Sequence, residues 1–227
     1  MFTLNLRGLA VAVAAAAFAA AVPAAATTLV DGGFETQASG VNYCYFNFTT
    51  PGGPPCGAGA WVGDNGGGLQ VETNSAWPGQ PTPDGSYYGF IQNLGYLEQS
   101  FVAASSGTTS LSWLDAGRPA NFREGNQTYN VLLTSISGTQ TLGSYATTSF
   151  QPFTARGTGS FNLVGGRAYT LRFQGLRNVF DDTAFIDQVA FGPTSTGVPE
   201  PTAWGLMILG FGMAGVMFRR RAAGHVI

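Results

Sequence analysis

Phe161 to Phe173 read F-N-L-V-G-G-R-A-Y-T-L-R-F. Apolar side chains take every second place on either side of a Gly-Gly pair: Phe161 and Leu163 before it, Tyr169, Leu171 and Phe173 after it. A period of two is that of a strand with one buried face, and Gly165-Gly166 is a hairpin signal between two such strands. The pattern repeats outward in both directions. Leu111 and Trp113, then Tyr129, Val131 and Leu133, then Ala184, Ile186 and Val189 alternate in the same way. Val71 alternates with Thr73, Tyr87 to Ile91 follows the turn signal Pro83-Asp84-Gly85, and Leu94 to Val102 ends in a Phe-Val pair. No window sustains a 3.6-residue period with helix caps. Short strands without intervening helices predict an all-β sandwich or barrel of about eight to ten strands. Tyr43 to Gly68 is the least regular stretch and reads as a long surface loop.

The two ends of the chain do not follow this period. Residues 1–26 read as a secretory signal peptide: Arg7 is the lone charge, Leu9 to Ala21 is apolar, and Ala24-Ala25-Ala26 supplies the small residues for cleavage. Thr202 to Phe218 carries no charge, and as a helix it is roughly 25 Å long, the lower limit for a membrane span. Arg219, Arg220 and Arg221 follow at once, and a basic cluster beside a span stays in the cytoplasm. The expected organisation is therefore a signal peptide (1–26), a β-sandwich domain (27–192), a linker (193–201), a transmembrane helix (202–218) and a basic tail (219–227). The domain then lies outside the inner membrane.

Within that exported part, six arginines face eleven acids, and lysine is absent from the chain. A net negative domain without a basic run is a poor nucleic-acid binder. Cys44 and Cys56 are exported with it, so a disulfide is expected on compartment grounds. The only histidine, His225, lies beyond the apolar helix. The domain thus lacks a Ser-His or Cys-His pair and any histidine for zinc. Carboxylates could still act on a glycan. Asp181-Asp182 is the one tight acidic pair and reads as a turn with exposed acids.

Val198 to Arg221 read V-P-E-P-T-A-W-G-L-M-I-L-G-F-G-M-A-G-V-M-F-R-R-R. This tail resembles the PEP-CTERM sorting tag: a Pro-Glu-Pro signature (Pro199, Glu200, Pro201), one apolar helix, then an arginine cluster. The resemblance implies recognition and processing by a membrane-bound exosortase, and an association with exopolysaccharide. There is a physical reading beside it, since two prolines fix φ and keep the backbone ahead of the helix extended.

The domain carries a second resemblance. Leu29 to Glu35, L-V-D-G-G-F-E, and Phe185 to Phe191, F-I-D-Q-V-A-F, resemble the opening and closing strands of galactose-binding-like jelly rolls, which include many carbohydrate-binding modules. The fold class is therefore a jelly-roll-like β-sandwich. If its first and last strands pair, Glu35 and Asp187 come together as a structural calcium site, as in the modules it resembles; calcium takes hard oxygen ligands. Sugar binding needs exposed aromatic faces, and the loop aromatics Trp61, Trp77, Tyr87 and Tyr88, with Tyr43 and Tyr45, are the candidates. Trp113 lies in an apolar strand and reads as core. The function expected is a non-enzymatic surface or matrix protein, sorted through its tag and associated with exopolysaccharide or biofilm. A carboxylate-dependent glycan hydrolase and a purely structural coat or adhesion protein are the alternatives.

Overall fold

The computed structural model describes residues 26–37, 40–47, 54–64, 66–73, 77–119, 126–179 and 181–193. The signal peptide, the sorting signature and the apolar C-terminal helix lie outside the described residues. In chain order the strands are β1 (Tyr43–Tyr45), β2 (Val62–Gly63), β3 (Gly67–Val71), β4 (Tyr87–Gln92) and β5 (Tyr96–Val102). Next come β6 (Gly107–Thr109), β7 (Leu111–Gly117), β8 (Thr128–Ser135) and β9 (Gly138–Ala146). The last four are β10 (Thr154–Gly157), β11 (Phe161–Leu163), β12 (Ala168–Gly175) and β13 (Thr183–Phe191). They form a six-stranded sheet in the order β1-β3-β4-β13-β7-β10 and a five-stranded sheet in the order β2-β5-β12-β8-β9. A two-stranded ribbon, β11-β6, closes one end. All the ladders are antiparallel. The fold is the expected all-β jelly-roll-like sandwich.

Alternation decides which residues meet between the sheets. Tyr129, Val131 and Leu133 of β8 and Tyr169, Leu171 and Phe173 of β12 point inward against Leu69, Ile91, Trp113 and Ile186 of the facing sheet. β13 breaks the alternation, being buried from Thr183 to Asp187 on both faces. A strand reads this way only when both its faces are covered, and here a second cluster covers the outer face. Tyr45, Tyr88, Phe90, Ala116 and Phe185 form it, with Tyr43, Trp77 and Phe153 packed at its margin.

Several expectations need correction. Leu29 to Glu35 is a loop, not an opening strand: Asp31 and Phe34 have positive φ, and Asp31 Oδ1 accepts the amide of Glu35. Such local side-chain hydrogen bonds offer the backbone an alternative to a ladder. Gly165-Gly166 joins strands of different sheets, because β11 pairs with β6 while β12 pairs with β5 and β8. The described part of Tyr43 to Gly68 holds β1, β2 and the start of β3, and buries Phe46 and Trp61. Its order comes from long-range anchors, which local periodicity does not reveal. Gln37 bonds Trp61 through both its N–H and its carbonyl, and Cys44 is bonded to Cys56.

Candidate functional site

The outer face of the six-stranded sheet carries the domain's least ordinary surface. On β1, β4 and β13 the inward positions are Cys44, Ile91, Ala184 and Ile186. The alternate positions, Tyr43, Tyr45, Tyr88, Phe90 and Phe185, therefore face away from the core. Phe90 is fully buried at the centre, with Tyr45 edge-on at 5.1 Å and Trp77 edge-on at 5.7 Å between ring centroids. Tyr43 lies 5.0 Å from Trp77. The indole N–H of Trp77 donates to Gln70 Oε1, and Gln70 Nε2 donates to the Tyr88 hydroxyl at 3.0 Å. Trp77 is thus fixed from below by a ring and from the side by a hydrogen bond, while remaining half-buried. The disulfide lies under the same strand, so Cys44 tethers the β1 segment that carries both tyrosines.

Polar groups ring this platform. The Tyr45 hydroxyl donates to Gln92 Oε1 at 3.1 Å. Burial, then the charge of Asp181, pushes its pKa up to about 12. Arg118 follows β7 and sets its guanidinium over Trp77, 5.5 Å from the ring centroid. An apolar flat ring beside amide, hydroxyl and charged groups is the composition of a site for a ring with one apolar face and a polar edge.

The other aromatic candidates lie elsewhere. Trp61 and Tyr88 are fully buried and present no face to a ligand, contrary to expectation. The indole N–H of Trp61 donates to Asp31 O, and the Tyr88 hydroxyl accepts the Gln80 amide as well as Gln70 Nε2. Each is buried with its polar tip satisfied by an internal partner, which offsets the cost of taking that tip out of water. Tyr87 is half-buried and donates to Val41 O, one strand position out of phase with Tyr88. Trp113 is core, as read, with its N–H on the Tyr129 hydroxyl.

The acids divide by partner. Asp115 is buried on the core side, held by Arg156 at 2.9 Å and by the Tyr129 hydroxyl at 2.8 Å. Burial nevertheless raises its pKa, against the lowering effect of those partners. Asp181 and Asp182 diverge: Asp181 is exposed, whereas Asp182 is buried and paired with Arg177 at 3.0 Å. The paired exposed acids of the sequence reading are therefore half wrong.

Asp187 is different. It is fully buried; its Oδ1 accepts the Gln188 amide at 2.7 Å, and its Oδ2 has no partner. Burial first, then the charges of Glu35 and Asp84, push its pKa up to about 7. Glu35 reaches the same corner from the loop and accepts the amides of Ser86 and Tyr87 at 2.9 and 2.8 Å. The loop is drawn in because Gly32 lies directly against the Val189 carbonyl, too close for any Cβ. A buried carboxylate oxygen without a donor suits a cation, so the residues fit calcium in donor type. Among the described residues, no three His, Cys, Asp or Glu side chains gather as a metal cage.

Residues 197–221 match the PEP-CTERM protein-sorting motif, and Pro199, Glu200, Pro201, Arg219, Arg220 and Arg221 fall within it. The motif marks an exported chain that is membrane-anchored before processing by exosortase. No curated protein matches the chain. Among solved structures, a cyclase from Fischerella sp. TAU in complex with 4-(1H-indol-3-yl)butan-2-one is similar at a TM-score of 0.50 and 17% identity, covering 76% of this chain and all of the other. The C-terminal family 22 carbohydrate-binding module of Clostridium thermocellum Xyn10B is similar at a TM-score of 0.44 and 11% identity, covering 71% and 99%. TmCBM61 in complex with β-1,4-galactotriose is similar at a TM-score of 0.43 and 13% identity, covering 59% and 88%.

Proposed function

We propose that the exported domain is a non-enzymatic glycan-binding module that its sorting tag delivers to the cell surface and its exopolysaccharide. The observation that carries this reading is the half-buried Trp77, fixed over Phe90 and flanked by Tyr43, Tyr45, Gln92 and Arg118. A flat apolar ring takes the apolar side of a pyranose, and the amide and hydroxyl beside it bond the sugar's rim. The buried acids Asp115 and Asp182 are held by arginines, which speaks against the hydrolase reading. The direct test is a glycan array probed with the full chain in detergent micelles. Binding of at least one polysaccharide class, reduced at least tenfold by Trp77→Ala, supports the reading; an array without hits leaves the purely structural coat protein.

Delivery has its own test. Replacing Pro199-Glu200-Pro201 by alanines leaves export intact and blocks processing in an exosortase-bearing host. Identical migration and fractionation of the two proteins contradicts it.

A second reading rests on the unpartnered Asp187 Oδ2. Asp187 and Glu35 would hold a structural calcium that ties the N-terminal loop to β13. An ion bound only by the folded state stabilises it by about 2.7 kcal/mol at a hundredfold excess over Kd. Millimolar calcium then raises the melting temperature by several degrees, and Asp187→Asn removes the rise. Equal melting in calcium and chelator contradicts it.

A further inference from the structure

We infer that the glycan this face binds is acidic, with a sugar carboxylate seated on Arg118. The inference rests on the glycan-binding reading and adds the charge class of the ligand. Among the described residues, three arginines of the domain are taken up in ion pairs: Arg156 with Asp115, Arg172 with Glu98 and Arg177 with Asp182. Arg167 donates to the Ser137 hydroxyl in the groove beside the β8–β9 turn. Among the described residues, Arg118 has no carboxylate within ion-pair distance, and its buried Nε–H has no acceptor. A buried donor without a partner is costly, and a guanidinium without a counter-ion is unusual in a domain that is net negative.

Its position gives this charge a use. The guanidinium lies 5.5 Å from the centroid of Trp77, the ring that would hold the sugar. Its charge also reaches the Tyr45 hydroxyl, lowering a pKa that burial and Asp181 raise. A carboxylate on a pyranose lying against Trp77 and Tyr43 would meet a planar donor that pairs with carboxylates in a bidentate way. Asp181 is exposed near the same tyrosine. It repels a carboxylate and accepts hydroxyls, so it sets which edge of the sugar turns to Arg118. The net negative domain offers no broad basic surface, so the acid must be read by this one residue rather than by general attraction.

The test uses matched probes with the full chain in detergent micelles: oligogalacturonate and glucuronoxylan oligosaccharides, each beside its carboxyl-reduced form, followed by titration calorimetry. The expected result is at least tenfold tighter binding of an acidic member than of its reduced partner. Arg118→Gln brings that ratio close to one, and Arg118→Lys restores part of it. Equal affinity for the acidic and reduced forms on the unaltered protein overturns the inference without touching the glycan-binding reading. So does an acid preference that survives Arg118→Gln. If neither form binds, this inference falls and the array alone decides the glycan-binding reading; if Trp77→Ala changes neither, both fall. The pair measured on the unaltered protein stands even if an Arg118 variant folds poorly.

Discussion

The two sheets turn very different outer faces to their surroundings. On the five-stranded sheet, Ser100, Thr170, Thr134 and Thr139 stand in one row across β5, β12, β8 and β9. Their hydroxyls bond in pairs at 2.9 Å, and Arg172 bonds Glu98 at 2.7 Å while stacking on Tyr96. Short polar groups partnered with one another leave little for a ligand to satisfy. On the six-stranded sheet the same positions carry rings too large to lie bare, so they have gathered the 77–80 segment and Phe153 over them. That cover is incomplete at Trp77, and the polar groups around the opening include Arg118, which has no counter-ion among the described residues. A sheet face becomes a site when it carries more apolar surface than the fold can cover and polar groups that the fold leaves unpaired.

The contrast can be broken by mutation. Phe90→Ala, at the centre of the aromatic face, is expected to cost about 3–5 kcal/mol in chemical denaturation, as a buried aromatic truncation does. If it costs no more than a surface change, the outer cluster is not a second core. Replacing Cys44 and Cys56 by serine should cost about 3 kcal/mol and weaken glycan binding too, because β1 carries Tyr43 and Tyr45. Unchanged binding in a folded double variant would detach the disulfide from the site.

Asp187 gives a pH signature on the same sheet. Its folded pKa is raised to about 7, so the folded state holds this proton more tightly than the unfolded chain, whose aspartates titrate near ~3.9. The stability this proton contributes is full below the unfolded value and is lost as pH rises through the folded one. In chelator, the melting temperature should therefore fall between pH 5 and pH 7.5, and Asp187→Asn should flatten that slope. Glu35 and Asp84, whose charges raise the Asp187 pKa, stay in place in that variant. The smallest effect belongs to the other face: Thr134→Ala should change stability by less than about 0.5 kcal/mol and leave glycan binding alone.

Much of this was legible in the residues, and what was not has definite causes. Strands β7, β8, β11 and β12 alternate over most of their length, and their inward residues are core because burial there follows the period of two. Cys44 and Cys56 pair as their compartment implies. Trp77 was among the aromatic candidates, but Trp61 and Tyr88 looked the same in sequence. All three have a partner for their polar tip; what separates them is that Trp61 and Tyr88 lie within the packed clusters while Trp77 packs at the margin of the outer one. Arg118 gave no local signal, since its importance lies in the ion pairs that the other arginines make. The loop that brings Glu35 toward Asp187 was read as a strand from its resemblance to the opening strand of jelly rolls, whereas its turn is fixed by Asp31.

The most direct test is an NMR titration of the 15N-labelled full chain in detergent micelles with the tightest glycan of the array. The account predicts that the Trp77 indole signal moves, together with the backbone amides of Tyr45, Phe90 and Phe185, while those of Ser100, Thr134 and Thr170 stay in place. Shifts confined to Ser100, Thr134 and Thr170, with the Trp77 indole unmoved, would contradict it.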